Sequence, residues 1–191
     1  YHSVALAGNV LIGDKVSITS PAEIFSIEPS TGVEEQISFI NKDILDQLTM
    51  PTVERRWVKS TDGKMVHTWV ILPPNFDRSK KYPALLYCEG GPQSPLSQFW
   101  SYRWNFRIMA AQGYIVVAPN RRGLPGFGQE WNEQISGDIA GKGLKNFLWP
   151  MDGETRGPMV AGKGWGCVGA GLGGYRVNWL AGLLGGRLKA L

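Results

Sequence analysis

Residues 166–174 read Gly-Cys-Val-Gly-Ala-Gly-Leu-Gly-Gly. The apolar run Trp165-Gly166-Cys167-Val168 before the corner reads as a strand, and Val177-Asn178-Trp179-Leu180-Ala181 after it opens a helix. The chain must therefore turn sharply between them, and Gly169 and Gly173 stand two residues to either side of the corner. This is the form of a nucleophile elbow, in which a serine at the corner of a strand and a helix presents its hydroxyl above a sheet. Here the corner position is Gly171, which has no side chain and cannot attack a carbonyl.

Earlier segments show what such a corner is built into. Ala84-Leu85-Leu86-Tyr87-Cys88 and Tyr114-Ile115-Val116-Val117-Ala118-Pro119 are continuous apolar runs, as expected of strands covered on both faces. Helical patterning is expected over residues 99–112 and 141–149. Strand–helix alternation of this kind predicts an α/β layer with a mainly parallel sheet. Upstream, Glu54–Ser60 and Val66–Leu72 read as two strands joined by an Asp62-Gly63 turn, and Pro73-Pro74 closes them. Before Pro51 the pattern is all-β. Ala22–Ile27 alternates in period two, Glu28-Pro29-Ser30-Thr31-Gly32 turns, and Gly32–Phe39 returns. Residues 41–50 read as a short helical linker. Two domains are expected, 1–50 and 51–191, and the first cannot be a complete module because one hairpin does not stand alone.

The formal net charge of +4 arises largely because no Asp or Glu follows Glu154, not from a basic stripe. Arg55-Arg56 and Arg121-Arg122 are isolated pairs that suit solvated or structural roles, so no nucleic-acid partner is expected. Cys88 and Cys167 sit in apolar runs without metal or redox spacing and read as buried thiols. No metal or organic cofactor is expected. No run is long and apolar enough to span a membrane. The chain starts at Tyr1 without a visible signal peptide and is expected to be a piece of a longer protein. The compartment is barely constrained, with a periplasmic or secreted placement favoured slightly over a cytoplasmic one.

Three loops follow the C-terminal ends of the three buried strands, the edge where open α/β sheets bind ligands. Glu89-Gly90-Gly91-Pro92 offers paired glycines whose N–H groups can approach a developing oxyanion, although alone it also reads as a plain tight turn. Asn120-Arg121-Arg122-Gly123-Leu124-Pro125-Gly126-Phe127-Gly128 winds over the same edge, with Arg122 suited to a carboxylate partner or to structural hydrogen bonds. The third loop is the elbow. As a phosphate loop it fails, because Gly169-Ala170-Gly171-Leu172-Gly173-Gly174 misses the dinucleotide spacing by one residue and no Lys-Ser/Thr pair ends it.

In order and spacing, the chain resembles the prolyl oligopeptidase-type serine peptidases. The residues that carry the likeness are Leu72-Pro73-Pro74-Asn75-Phe76-Asp77, Lys80-Lys81-Tyr82-Pro83, Gly90-Gly91-Pro92, Asn120-Arg121-Arg122-Gly123 with Gly126-Phe127-Gly128, and Gly169-Ala170 with Leu172-Gly173-Gly174-Tyr175. The likeness is strongest to the dipeptidyl-peptidase and acylaminoacyl-peptidase branches. It implies an α/β-hydrolase, incomplete here, preceded by the last strands of a β-propeller that end in the hairpin at 22–40. It implies a serine exopeptidase that hydrolyses peptide bonds near the N-terminus of oligopeptides through an acyl-enzyme, with a peptide as substrate. It also admits a homodimer, which the residues do not specify. In the family a serine occupies position 171, and the oxyanion hole uses the N–H of Leu172 and the loop at Glu89 and Gly90. Glu89 stands where dipeptidyl peptidase IV has a Tyr, so any donor there must be backbone N–H. The rival readings are an α/β-hydrolase esterase and a hydrolase-fold binding protein without turnover.

The chain departs from the family in its chemistry. No Ser follows Ser136, both histidines (His2 and His67) precede the elbow, and the triad Asp and His are expected beyond Leu191. Residues 139–141 replace the family's Trp-Gly-Gly, and the sequence then turns Gly-, Leu- and Trp-rich. Two explanations compete: the residue identities past 139 are imperfectly known and Gly171 stands for a serine, or the chain is an inactive variant. The survival of the elbow's glycines without its nucleophile favours the first. Sequencing the encoding DNA across codons 139–191 is expected to return a serine codon at 171; a glycine codon would make the inactive variant the correct reading.

Overall fold

The computed structural model describes all residues except 61, 92, 140, 153–159 and 185. Its contacts divide the chain into two units, one of residues 1–50 with 98–107 and one of residues 51–97 with 108–191.

The first unit is a four-stranded antiparallel meander in chain order: β1 (Ser3–Ala7), β2 (Val10–Ser17), β3 (Ser20–Ile27) and β4 (Glu34–Gln36). The hairpin expected at 22–40 is present, with Phe25 opposite Gln36 and Ile27 opposite Glu34. Its return strand is shorter than the apolar alternation suggests, because the Ser38 hydroxyl and the backbone of Ile40 and Asn41 bond to Glu23 instead of extending the ladder. That carboxylate accepts hydrogen bonds from the Ser38 hydroxyl, the Ile40 and Asn41 N–H groups and the Asn41 amide. Burial opposes ionisation of Glu23, but these bonds outweigh it and bring its pKa down to about 2. A single-turn helix, α1 (Lys42–Leu45), occupies the segment read as a linker.

The second unit opens with β5 (Thr52–Lys59) and β6 (Met65–Leu72), then β7 (Tyr82–Cys88). Next come α2 (Phe106–Ala111), which straddles the boundary between the units, β8 (Ile115–Pro119), α3 (Gln129–Glu133) and α4 (Lys142–Asp152). The chain ends with β9 (Val160–Gly169), α5 (Leu172–Leu184) and β10 (Leu188–Ala190). The six strands lie in the order β10-β9-β7-β8-β6-β5. The pairs β10/β9, β9/β7 and β7/β8 are parallel, and β8/β6 and β6/β5 are antiparallel, so the sheet is mainly parallel.

One face of this sheet carries the main core. Val70, Ala84, Leu86, Cys88, Ile115, Val117, Trp165 and Cys167 recur at period two and meet Leu144, Phe147 and Met151 of α4 and Val177, Leu180 and Leu184 of α5. Both cysteines are buried free thiols on neighbouring strands. A hydrogen bond with Cys167, and then burial, raise the Cys88 thiol well above its ordinary pKa, so it behaves as an apolar side chain.

Helix over 99–112 is the expectation that fails most clearly, since only Phe106–Ala111 is helical. Residues 99–105 form bends and loop instead, with the Ser101 hydroxyl accepting the Trp104 N–H at 2.9 Å. The Gln98 side chain accepts the Ile18 N–H at 3.0 Å.

His67 on β6 is packed edge-on between Trp57 and Trp69 and against Phe127. The Asn120 amide fixes its protonation. Asn120 Oδ1 accepts the Leu96 N–H at 2.8 Å and its Nδ2 donates to the Leu96 carbonyl at 2.9 Å, so the amide cannot be flipped. The same Nδ2 lies 3.0 Å from His67 Nδ1, which must therefore accept, placing the single proton on Nε2. Burial, and secondarily the Arg55 charge, push the His67 pKa below its ordinary 6.5. The neutral ring's contribution is thus fully present above pH 6.5 and is lost as pH falls from 6.5 through the folded value. Urea midpoints are expected to fall between pH 7 and 5, and His67→Gln is expected to flatten that slope. The acid loss at Glu23 and Asp62, whose pKa values are both about 2, remains at lower pH.

Candidate active site

The ends of β7, β8 and β9 bring the three sequence-singled loops to one edge of the sheet. At the corner, β9 ends at Gly169 and α5 starts at Leu172. Gly171 has φ +56, a left-handed conformation that costs a side-chain-bearing residue about 1–2 kcal/mol. A Cβ at 171 would meet nothing within 4 Å. The corner is therefore bent and open: it would hold a side chain out into free space.

Its flanks are the reverse. A Cβ at Gly173 would collide with the Cys88 carbonyl oxygen, and one at Gly169 would lie 2.7 Å from the Gly173 carbonyl carbon and 2.8 Å from the Cys88 oxygen. Only hydrogen fits there, because the first turn of α5 lies directly on the end of β7. The Gly90 turn is part of the same packing: a Cβ at Gly90 would sit 2.8 Å from the Ala170 oxygen and 3.6 Å from the Gly173 nitrogen. Gly91 has φ +102 and no room for a Cβ beside the Gln93 nitrogen. Pro92 lies outside the described residues.

The structure thus brings the turn at Glu89, Gly90 and Gly91 against the corner at Ala170, Gly171 and Gly173. Leu172, as the first residue of α5, has one of the N–H groups that a helix leaves without an intrahelical acceptor. The Glu89 carboxyl is half-buried, and that burial raises its pKa above the ordinary 4.5. The Tyr87 hydroxyl, the charges of Arg121 and Arg176 and the Gly90 N–H, all of which interact with the carboxylate, oppose that rise.

Two buried arginines lie beneath the turn. Arg121 Nη2 donates to the Gly90 carbonyl at 3.1 Å and Nη1 to the Arg122 carbonyl at 2.8 Å. Arg176 Nη1 donates to the Glu89 carbonyl. Sequence reasoning assigned neither of them to the site. A signal was present for Arg176, which shares a helical stripe with Gly173, Val177, Leu180 and Leu184, all buried. Arg122 has a carboxylate partner, pairing with Asp62 of the β5–β6 turn and thereby lowering the Asp62 pKa to about 2. Asn120 braces Leu96 as described, and Gln93 Nε2 donates to Asn132 Oδ1 at 2.7 Å.

Comparison with known proteins follows this geometry. The dipeptidyl-peptidase 5 of Porphyromonas gingivalis is 50% identical over 182 residues, which is 95% of this chain and 27% of that protein. The pattern describing the prolyl oligopeptidase family matches residues 100–190. This chain belongs to the prolyl oligopeptidase family. It superposes on the acylaminoacyl peptidase of Pyrococcus horikoshii with a TM-score of 0.80 at 25% identity, covering 91% of this chain and 27% of that one. The dipeptidyl peptidase 4 of P. gingivalis shares the fold, with a TM-score of 0.77 at 19% identity over 98% of this chain and 27% of that one. The fold of the chain is a mainly parallel α/β-hydrolase, incomplete here, preceded by the last strands of a β-propeller. The chain spans about a quarter of the length of these relatives. Among the described residues no helix is long and apolar enough to cross a membrane.

The two kinds of glycine separate experimentally. Gly171→Ala is expected to cost about 1 kcal/mol, the left-handed backbone alone. Gly173→Ala is expected to cost about 3 kcal/mol or more, because backbone must move off backbone. Urea unfolding of the two variants measures the difference.

Proposed function

We propose that the whole protein is a serine exopeptidase that releases dipeptides from the N-terminus of peptides, with residues 51–191 forming the first part of its catalytic domain and residues 1–50 the end of its propeller. The observation that carries the reading is the open, left-handed corner at Gly171 packed against the Gly90 turn. A serine hydroxyl at 171, deprotonated by a histidine base that the whole protein supplies beyond these residues, attacks the scissile carbonyl. The Leu172 N–H and the Gly90 turn hold the oxygen as it becomes negative, where a missing donor typically costs about 100-fold or more in kcat. The collapse to an acyl-enzyme expels the new N-terminus, and water then releases the dipeptide. With Gly171 as written, nothing in the chain performs the first step. Dipeptide release, as opposed to esterolysis, is supported by the likeness to the P. gingivalis dipeptidyl-peptidase 5.

Fluorophosphonate labelling of the full-length protein with serine at 171 tests this. Labelling at 171 and turnover of dipeptidyl-coumarins well above p-nitrophenyl esters are expected. No labelling would support a binding protein, and a preference for the esters would support an esterase.

A further inference from the structure

We propose that Arg121 and Arg176 are positioning residues that aim the amides of Gly90 and Gly91 at the reacting oxygen by gripping the carbonyls of Glu89 and Gly90; this rests on the catalytic reading above. In a trans peptide the carbonyl and the following N–H point in opposite directions. Holding the Glu89 carbonyl on Arg176 therefore turns the Gly90 N–H to the opposite side, and holding the Gly90 carbonyl on Arg121 does the same for the Gly91 N–H. Two consecutive peptide planes are fixed from below by two guanidiniums that come from different elements. Arg121 follows β8, and Arg176 lies in α5, five residues beyond the corner.

Two observations speak for positioning over mere filling of space. Both arginines are fully buried, and burial lowers the pKa of Arg121 to about 9 and that of Arg176 to about 10, so both stay charged near neutrality at a desolvation cost. A leucine or methionine would fill the same volume without that cost. Arg176 Nε and Nη2 also find no hydrogen-bond partner among the described residues, so its directed polar bond is the one to the Glu89 carbonyl, with the Phe147 ring 5.8 Å from the guanidinium.

The test uses the full-length protein with serine at 171 and the substitutions Arg121→Met, Arg176→Met and the corresponding lysines. Misaimed donors weaken transition-state binding, so kcat is expected to fall about tenfold or more in the methionine variants. KM should stay within about twofold, and affinity for a peptide boronate, a tetrahedral mimic, should fall in parallel with kcat. Lysine, with one point of donation, should recover part of the loss. Should the methionine variants not fold, the lysine variants decide, with about a threefold loss in kcat expected and no loss overturning the proposal. Unchanged kcat, or a loss that leaves boronate affinity intact, also overturns it. A readout independent of turnover is amide exchange at Gly90 and Gly91, expected to accelerate about tenfold while Leu85 to Tyr87 stay protected. If fluorophosphonate fails to label the unsubstituted protein, the catalytic reading fails, and this exchange still decides whether the arginines hold the loop.

Discussion

The contact on which the rest depends is backbone against backbone: the first turn of α5 lying on the end of β7. Hydrogen-only positions at Gly90, Gly169 and Gly173 let the Cys88 and Ala170 carbonyls approach a helix that any Cβ would push away. From that approach follow the angle at which β9 gives way to α5, the reach of Arg176 to the Glu89 carbonyl, and the meeting of the turn and the corner. The apolar layer beneath, from Leu86 and Val117 to Phe147 and Leu180, supplies the cohesive energy. It does not select this geometry, since apolar packing has little directional preference.

Polar bonds provide the direction. Asn120 ties Leu96 to His67, Arg122 ties the loop after β8 to the β5–β6 turn, and Arg121 ties that same loop to Gly90. Each bond is buried or half-buried and crosses between segments distant in sequence. The loops at this edge are therefore held by specific bonds to their neighbours, as a site that must stabilise charge without reorganising requires.

Much of this was legible in the residues. The buried strands β7 and β8 announced themselves through unbroken apolar runs, the β5–β6 hairpin through Asp62-Gly63, and the corner through glycines at 169 and 173. Two segments were misread: the Glu23 carboxylate ends the return strand at Gln36, and residues 99–105, patterned like a helix, form bends and loop before Phe106. The short elements α3 and β10 gave no signal, because three to five residues carry too little pattern to separate from a loop. Arg121 read as one of a pair with a solvated or structural role, since a single sequence does not reveal that the carbonyl of a turn 31 residues earlier would be its partner.

The vacancy around Gly171 separates shape from chemistry. The bend is made by its neighbours and by the strand beneath, and a Cβ at the corner would meet nothing within 4 Å. Its side chain can accordingly be exchanged without the scaffold registering the change, apart from the modest price of a left-handed backbone. A fold built this way can lose a nucleophile and keep its architecture, or regain one by a single codon, so architecture alone is a poor witness to whether a given copy turns over.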